Sequence, residues 1–189
     1  AGAEILDINV HTENSEERDI MAKAVEYIQS MIPIPLQLDS SDYSVLEAGA
    51  RIYNGKPIIN SVNGTRISME HVFPVVRKYG GCVIGLPLDE NGIPPKAEGR
   101  LEVARKIVGT ARTYGIPKED ILIDCLVQSA ARGAKAARET LKAVSLIKRE
   151  LGVKTVLGIS NISYGRRERS VLNAVYLAMA MGAGLDCAI

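Results

Sequence analysis

The chain has 189 residues, 47% hydrophobic and 24% charged, with a formal net charge of +1 from 23 basic and 22 acidic side chains. That balance suits a single soluble globular domain. With no polybasic run, no acidic tail, one Phe and no Trp, it argues against a nucleic-acid partner.

The first apolar run predicts a strand at residues 5–10, followed by a helix at 16–31 with Ile20, Ala24 and Tyr27 on one face. A second strand, 34–38, leads to a helix at 42–53 that carries Val45, Leu46, Gly49 and Ile52, with Asp42 as its N-cap. The third, 57–60, leads to a helix at 69–79 with Val72, Phe73 and Val76 together and Ser68 as N-cap. The fourth, 82–88, precedes a helix at 97–114 whose face is Leu101, Ala104, Ile107 and Val108. The fifth, 121–127, precedes a helix at Ala134–Leu151 with Leu141, Val144 and Ile147 aligned. The sixth, 155–160, precedes a helix at 169–183 that groups Leu172, Tyr176, Met179 and Ala180, and a seventh run covers 185–189. The helical segments follow the 3.6-residue period. The strand runs are rich in Ile, Leu and Val without strict alternation, as in a parallel sheet covered on both faces. Gly80, Gly115 and Gly152 each sit between a helical pattern and a strand, where a helix C-terminus favours a left-handed residue.

Regular βα alternation without a topology break favours an α/β fold of the (β/α)8 barrel type. An open doubly wound sheet is disfavoured, because no G-x-G-x-x-G turn follows the first strand. A complete barrel takes roughly 250 residues. The expectation is therefore one domain over residues 1–189, a barrel lacking its first βα unit and its last helix. No apolar run reaches the ~18 residues of a membrane span, and no signal-peptide pattern opens the chain, so no membrane and a cytoplasmic location are expected. Cys82, Cys125 and Cys187 lie in apolar stretches with no C-x-x-C spacing, so they read as free thiols and no metal site is expected.

Barrel sites lie at the C-terminal ends of the strands. The polar residues predicted there are Asp7 and Asn9, Asp39 and Ser40, Asn60 and Ser61, Asp89 and Glu90, Asp124, Ser160, Asn161 and Ser163, and Asp186. Asp and Asn are unusual in strands, so their recurrence at one height marks a shared cavity. Asp42, Asp89, Glu90 and Asp186 read better as turn formers or caps. His11 and His71 read as surface residues. Arg166, Arg167 and Arg169 either grip an acidic tail or form a solvated loop. No G-x-S-x-G, H-E-x-x-H or P-loop occurs, so nucleophile triads and metal hydrolysis have no support. Carboxylates accept paired hydrogen bonds from a fork of N–H donors. A pterin presents such a fork, as would a guanine-like or amidine ligand.

The segments Ile5-Leu6-Asp7-Ile8-Asn9-Val10, Leu38-Asp39-Ser40-Ser41, Ile59-Asn60-Ser61-Val62-Asn63-Gly64, Ile123-Asp124-Cys125-Leu126 and Gly158-Ile159-Ser160-Asn161-Ile162-Ser163 resemble the pterin-binding family. That family includes dihydropteroate synthase, the folate domain of cobalamin-dependent methionine synthase and methyltetrahydrofolate:corrinoid methyltransferases. Asn60-Ser61, Ser160-Asn161 and Leu185-Asp186-Cys187-Ala188-Ile189 resemble the methyltransferase branch, and the late Arg-x-His of dihydropteroate synthase is not matched. The resemblance implies that Asp39, Asn60 and Asp124 hold the pterin edge, that Asp7 and Asn9 line the same floor, and that Asn161 approaches N5. It implies methyltetrahydrofolate as substrate, a methyltransferase activity in methionine synthesis, and a corrinoid carried by a partner protein or domain, because no D-x-H-x-x-G motif occurs here. A homodimer is the oligomer that it suggests. Three alternatives stay open: a binding-only or inactive pterin module, a dihydropteroate synthase-like enzyme, and an unrelated barrel enzyme acting on an amidine-like substrate. The chain departs from the family pattern at His11, where Gly is usual, and at Ser163-Tyr164-Gly165-Arg166-Arg167-Glu168-Arg169, where an apolar Leu-Pro is usual.

Overall fold

The computed structural model describes residues 2–12 and 16–189. Seven strands form one parallel sheet: β1 (Leu6–Asn9), β2 (Leu36–Asp39), β3 (Ile58–Asn63), β4 (Cys82–Leu86), β5 (Ile121–Asp124), β6 (Lys154–Leu157) and β7 (Cys187–Ala188). Six helices follow the first six strands: α1 (Glu17–Met31), α2 (Tyr43–Ile52), α3 (Arg66–Tyr79), α4 (Ala97–Thr113), α5 (Ala134–Leu151) and α6 (Arg169–Gly182). The spatial order of the strands is β1 to β7, identical to the chain order. The sheet curls into an incomplete barrel, and among the described residues β1 and β7 do not pair with each other.

Register explains where the core sits. Ile8, Leu38, Ile59, Val83 and Ile121 are lateral neighbours across five strands, and all five are buried. Side chains alternate between the faces of a strand, so this row belongs to one face, the one that packs on the helices. Val25, Leu46, Phe73, Ile107 and Ile147 meet it from α1 to α5 in one continuous apolar cluster. Packing is close at Gly49, where a Cβ would stand 2.9 Å from Met21 Cγ and 3.0 Å from Leu38 Cδ1. Burying a side chain such as Phe73 contributes about 1.5–3 kcal/mol. Ile84 and Val156 are also buried but lie outside that cluster, on the concave side.

The helix ends follow the sequence. Gly80 and Gly152 cap α3 and α5 at φ 64° and 63°, the left-handed conformation that costs other residues a clash. Asp42 caps α2 by accepting from Ser44 N at 2.7 Å. Three local readings are corrected. The N-cap of α3 is Thr65, whose hydroxyl accepts from Ser68 N at 3.2 Å, and Ser68 instead accepts from Asn63 N at 3.0 Å. In α1 the buried residues are Met21 and Val25, while Ile20 and Tyr27 face solvent. In α6 Tyr176 and Ala180 are buried, whereas Met179 is exposed. Among the described residues no helix is long and apolar enough to cross a membrane.

Candidate functional site

β1 and β2 read Leu6-Asp7-Ile8-Asn9 and Leu36-Gln37-Leu38-Asp39. With a period of two, Ile8 and Leu38 face the helices, and Asp7, Asn9, Gln37 and Asp39 share the concave face. Asn9 Nδ2 donates to Asp39 Oδ2 at 3.0 Å, and Asn9 Oδ1 accepts from His11 N at 2.9 Å. Gln37 Nε2 donates to Asp7 Oδ1. Burial raises the pKa of Asp7; the Gln37 bond lowers it and the nearby Asp39 charge raises it further. Gln37 is a buried polar residue that the sequence reading did not single out. The polar–apolar alternation of β2 was the signal that could have found it.

Asn9, Asp39 and Asn60 are direct lateral neighbours, one per strand. At a strand spacing of about 4.8 Å, the row spans about 10 Å, enough for a small bicyclic ring. Ser40 N donates to Asn60 O at 2.9 Å. The β3–β4 register shifts between Asn60 and Val62, so Asn60 ends the regular pairing. The next lateral neighbour in the row is Ile84 on β4, a buried apolar side chain. In the loop after β4, Asp89 accepts from Asn91 N at 2.8 Å and pairs with Gly92 in a turn.

On β5 the lateral neighbour of Ile84 is Leu122, and Asp124 ends the strand two residues beyond it on the same face. Its Oδ1 accepts from Leu126 N at 2.8 Å, and Leu126 takes φ 61°, in the left-handed region. Burial pushes the Asp124 carboxyl up to about 6, against the opposing pull of the Leu126 N–H, the Arg100 charge and the Gly158 N–H. Gly158 also joins Asp124 to Asn161. A Cβ at Gly158 would lie 2.9 Å from Asn161 Nδ2, so the amide rests on a bare backbone. Asn161 is exposed in a 3-10 turn, Ile159–Ser163, after β6. Arg169 braces that turn, with Nε donating to Ser163 Oγ at 3.1 Å and Nη2 to Ser160 O at 3.3 Å.

The arrangement is thus two polar groups, Asp7/Asn9/Asp39/Asn60 and Asp124/Asn161, separated by an apolar strip at Ile84 and Leu122. A flat heteroaromatic ring with polar edges fits such a surface. A cleft of about 290 Å³ opens at the first group, lined by Asn9, Val10, His11, Glu17, Asp39, Ser40 and Ser41. Larger clefts of about 610 and 560 Å³ are lined by Ile32–Pro35 and Gly115–Glu119. Those segments precede β2 and β5, so these clefts open at the N-terminal ends of the strands, away from both groups. No group of His, Cys, Asp and Glu able to hold a metal occurs among the described residues.

Asp186 does not join the site. It precedes β7, at the opposite end of the sheet, and accepts from Lys148 Nζ at 2.9 Å, Thr155 N at 3.0 Å and Lys154 Nζ at 3.3 Å. Burial would raise its pKa, but these donors hold it below the ordinary carboxylate value. His11 Nδ1 lies 2.9 Å from Glu17 Oε1 at the rim, with its side chain largely exposed.

Residues 1–189 match the model of the family described as "Pterin binding enzyme". The chain is 35% identical over 201 residues to a methionine synthase of Mycobacterium leprae (strain TN) and 33% identical to that of Mycobacterium tuberculosis (strain ATCC 25618 / H37Rv), covering 100% of this chain in each case. It spans 17% of the length of those relatives. Among solved structures, dihydropteroate synthase from Thermus thermophilus superposes with a TM-score of 0.79 at 17% identity, over 99% of this chain and 76% of that one. The Yersinia pestis enzyme gives 0.78 at 16%, again over 99% and 76%. At that identity the likeness is one of fold.

Proposed function

This chain belongs to the pterin-binding enzyme family, and we propose that it binds methyltetrahydrofolate and supports transfer of its N5 methyl group to a Co(I) corrinoid on a partner domain or protein. The observation that carries the reading is the unbroken lateral row Asn9–Asp39–Asn60, with Asp124 ending β5 two residues beyond Leu122, the lateral neighbour of Ile84. The identity of about a third to two methionine synthases favours the methyltransferase branch.

In this reading Asp39 and Asp124 accept hydrogen bonds from the 2-amino group and ring N–H of the pterin, while Asn60 can donate and accept in the same plane. Asn9 holds Asp39 in place by its 3.0 Å bond, and Gln37 does the same for Asp7. The corrinoid of the partner supplies the nucleophile that takes the methyl group. When the N5–methyl bond breaks, its electron pair stays on N5, so a proton or a hydrogen-bond donor at N5 is needed to make it a competent leaving group. We assign that task to the Asn161 amide. Its contribution belongs to the transition state more than to binding.

The test is equilibrium binding of methyltetrahydrofolate to the purified chain, followed by methyl transfer to a Co(I) corrinoid protein, for the wild type and Asn161→Ala. We expect both to bind, and transfer to fall by about 100-fold in the variant. A folded wild-type chain with no affinity for the folate refutes the proposal.

A further inference from the structure

Arg100 has no exposed surface, although it is a charged residue on α4. Its Nε donates to Pro94 O at 3.0 Å. Its Nη1 lies 2.7 Å from Cys125 O, 3.1 Å from Leu126 O and 2.8 Å from Thr140 Oγ1. No ion pair to a carboxylate within 4.0 Å compensates it among the described residues. Its Nη2 is buried without an acceptor. A buried cation without a partner is expensive, so its place in the core calls for a reason beyond filling space.

The carbonyls that it holds are those of the two residues following Asp124. Leu126 sits at φ 61°, a conformation that an L side chain adopts only when its surroundings impose it. In that conformation the Leu126 N–H returns to Asp124 Oδ1 at 2.8 Å. The guanidinium therefore pins the outer side of a turn whose inner side orients the carboxylate. Its charge also acts on Asp124 through the low-polarity interior. Resting on the pterin reading above, we infer that Arg100 is the positioning residue that aims the Asp124 carboxylate at the bound pterin.

The other titratable groups near Asp124 leave that role to Arg100. Cys125 is pushed up by burial and stays a neutral thiol. Tyr176 on α6 is pushed up by burial to about 12, and its hydroxyl donates to Ala137 O at 3.2 Å. Glu139 on α5 accepts from Ala97 N at 2.9 Å and pairs with Lys142 at 3.1 Å. The lateral neighbour on β6 is Val156.

The test has two readouts on the full chain: the carboxyl carbon shift of Asp124 without ligand, and the Kd for methyltetrahydrofolate, each between about pH 5 and about pH 8. The proteins are wild type, Arg100→Met, Arg100→Lys and Asp124→Asn. We expect the wild-type carboxyl to titrate at about 6, with binding weakening as pH falls through that value. In Arg100→Met both midpoints should rise by about half a pH unit or more. Arg100→Lys keeps the charge but, with one nitrogen, cannot hold Pro94 O together with the Cys125 and Leu126 carbonyls, so it should hold the midpoint and weaken binding several-fold at every pH. Should Arg100→Met fail to fold, Arg100→Lys decides: wild-type affinity together with a wild-type Leu126 amide shift overturns the inference. Midpoints that stay put in a folded Arg100→Met, whatever its loss of stability, also overturn it. If the ligand-free midpoint responds to Arg100 but the wild type does not bind the folate, the pterin reading falls and the control of Asp124 by Arg100 stands.

Discussion

Replacing Asp124 with Asn should abolish the loss of stability between acid and neutral pH that a buried carboxyl imposes, while weakening the proposed site. The carboxyl ends β5 in a buried setting that pushes it up from 3.8 to about 6. Below about pH 4 the group is protonated in the folded and unfolded chains alike, and it has no effect on the slope. Between about pH 4 and about pH 6 the folded chain retains a proton that the unfolded chain has released, so stability falls as pH rises. Above that window both states are ionised, and the full cost is about 3 kcal/mol. Asn is neutral throughout, and its Oδ1 can still accept from Leu126 N. Its new Nδ2 donor adds a desolvation penalty of about 1–3 kcal/mol, but equally at both ends of the pH range. The informative quantity is therefore a double difference. Urea unfolding of both proteins at about pH 4 and about pH 7 should show the variant gaining about 2.5 kcal/mol relative to wild type across that interval. Equal pH dependence in the two proteins would refute the reasoning.

Other substitutions probe the rest of the site and the core. Gly158→Ala meets no backbone obstacle at φ −72°, but its Cβ would lie 2.9 Å from Asn161 Nδ2. Its Tm should stay within about 2 °C while methyl transfer falls by about 10-fold, in a stopped-flow assay with a Co(I) corrinoid protein. Asp39→Asn swaps an acceptor for a donor facing the amide of Asn9, and should raise the folate Kd by about 10- to 100-fold in a titration. Phe73→Ala empties a fully buried position between sheet and helices, and urea denaturation should register a loss of about 3–5 kcal/mol.

The fold was largely legible because it rests on local periodicity. The helix Ala134–Leu151 was predicted with the bounds it has, and β1 to β6 lie within or beside their predicted runs. What was missed depends on long-range neighbours. Choosing Ile20 and Tyr27 over Met21 and Val25 as the face of α1 was a choice between stripes about a hundred degrees apart, which only the sheet resolves. Ser68 is a sound cap in isolation, yet Thr65 adds another turn by capping first. Asp186 was placed at the wrong end of its strand because an apolar run of five residues does not show where pairing begins. Arg100 was overlooked although it shares the buried face of α4 with Ala97, Leu101 and Ala104; a cation in an apolar stripe was the available sign. The left-handed backbone of Leu126 had no sign at all, since Leu does not favour it.

Strand order that equals chain order has a consequence for assembly. Each new strand docks on the edge left by the one before it, so the sheet can grow by accretion with loop closures no longer than one βα unit. The row Asn9–Asp39–Asn60 then exists as soon as three strands are paired, long before the turn bearing Asn161 is laid down. The groups proposed to recognise the ring and the group proposed to assist the chemistry are thus contributed by opposite flanks of a sequentially built surface. Changes to one flank should leave the other standing.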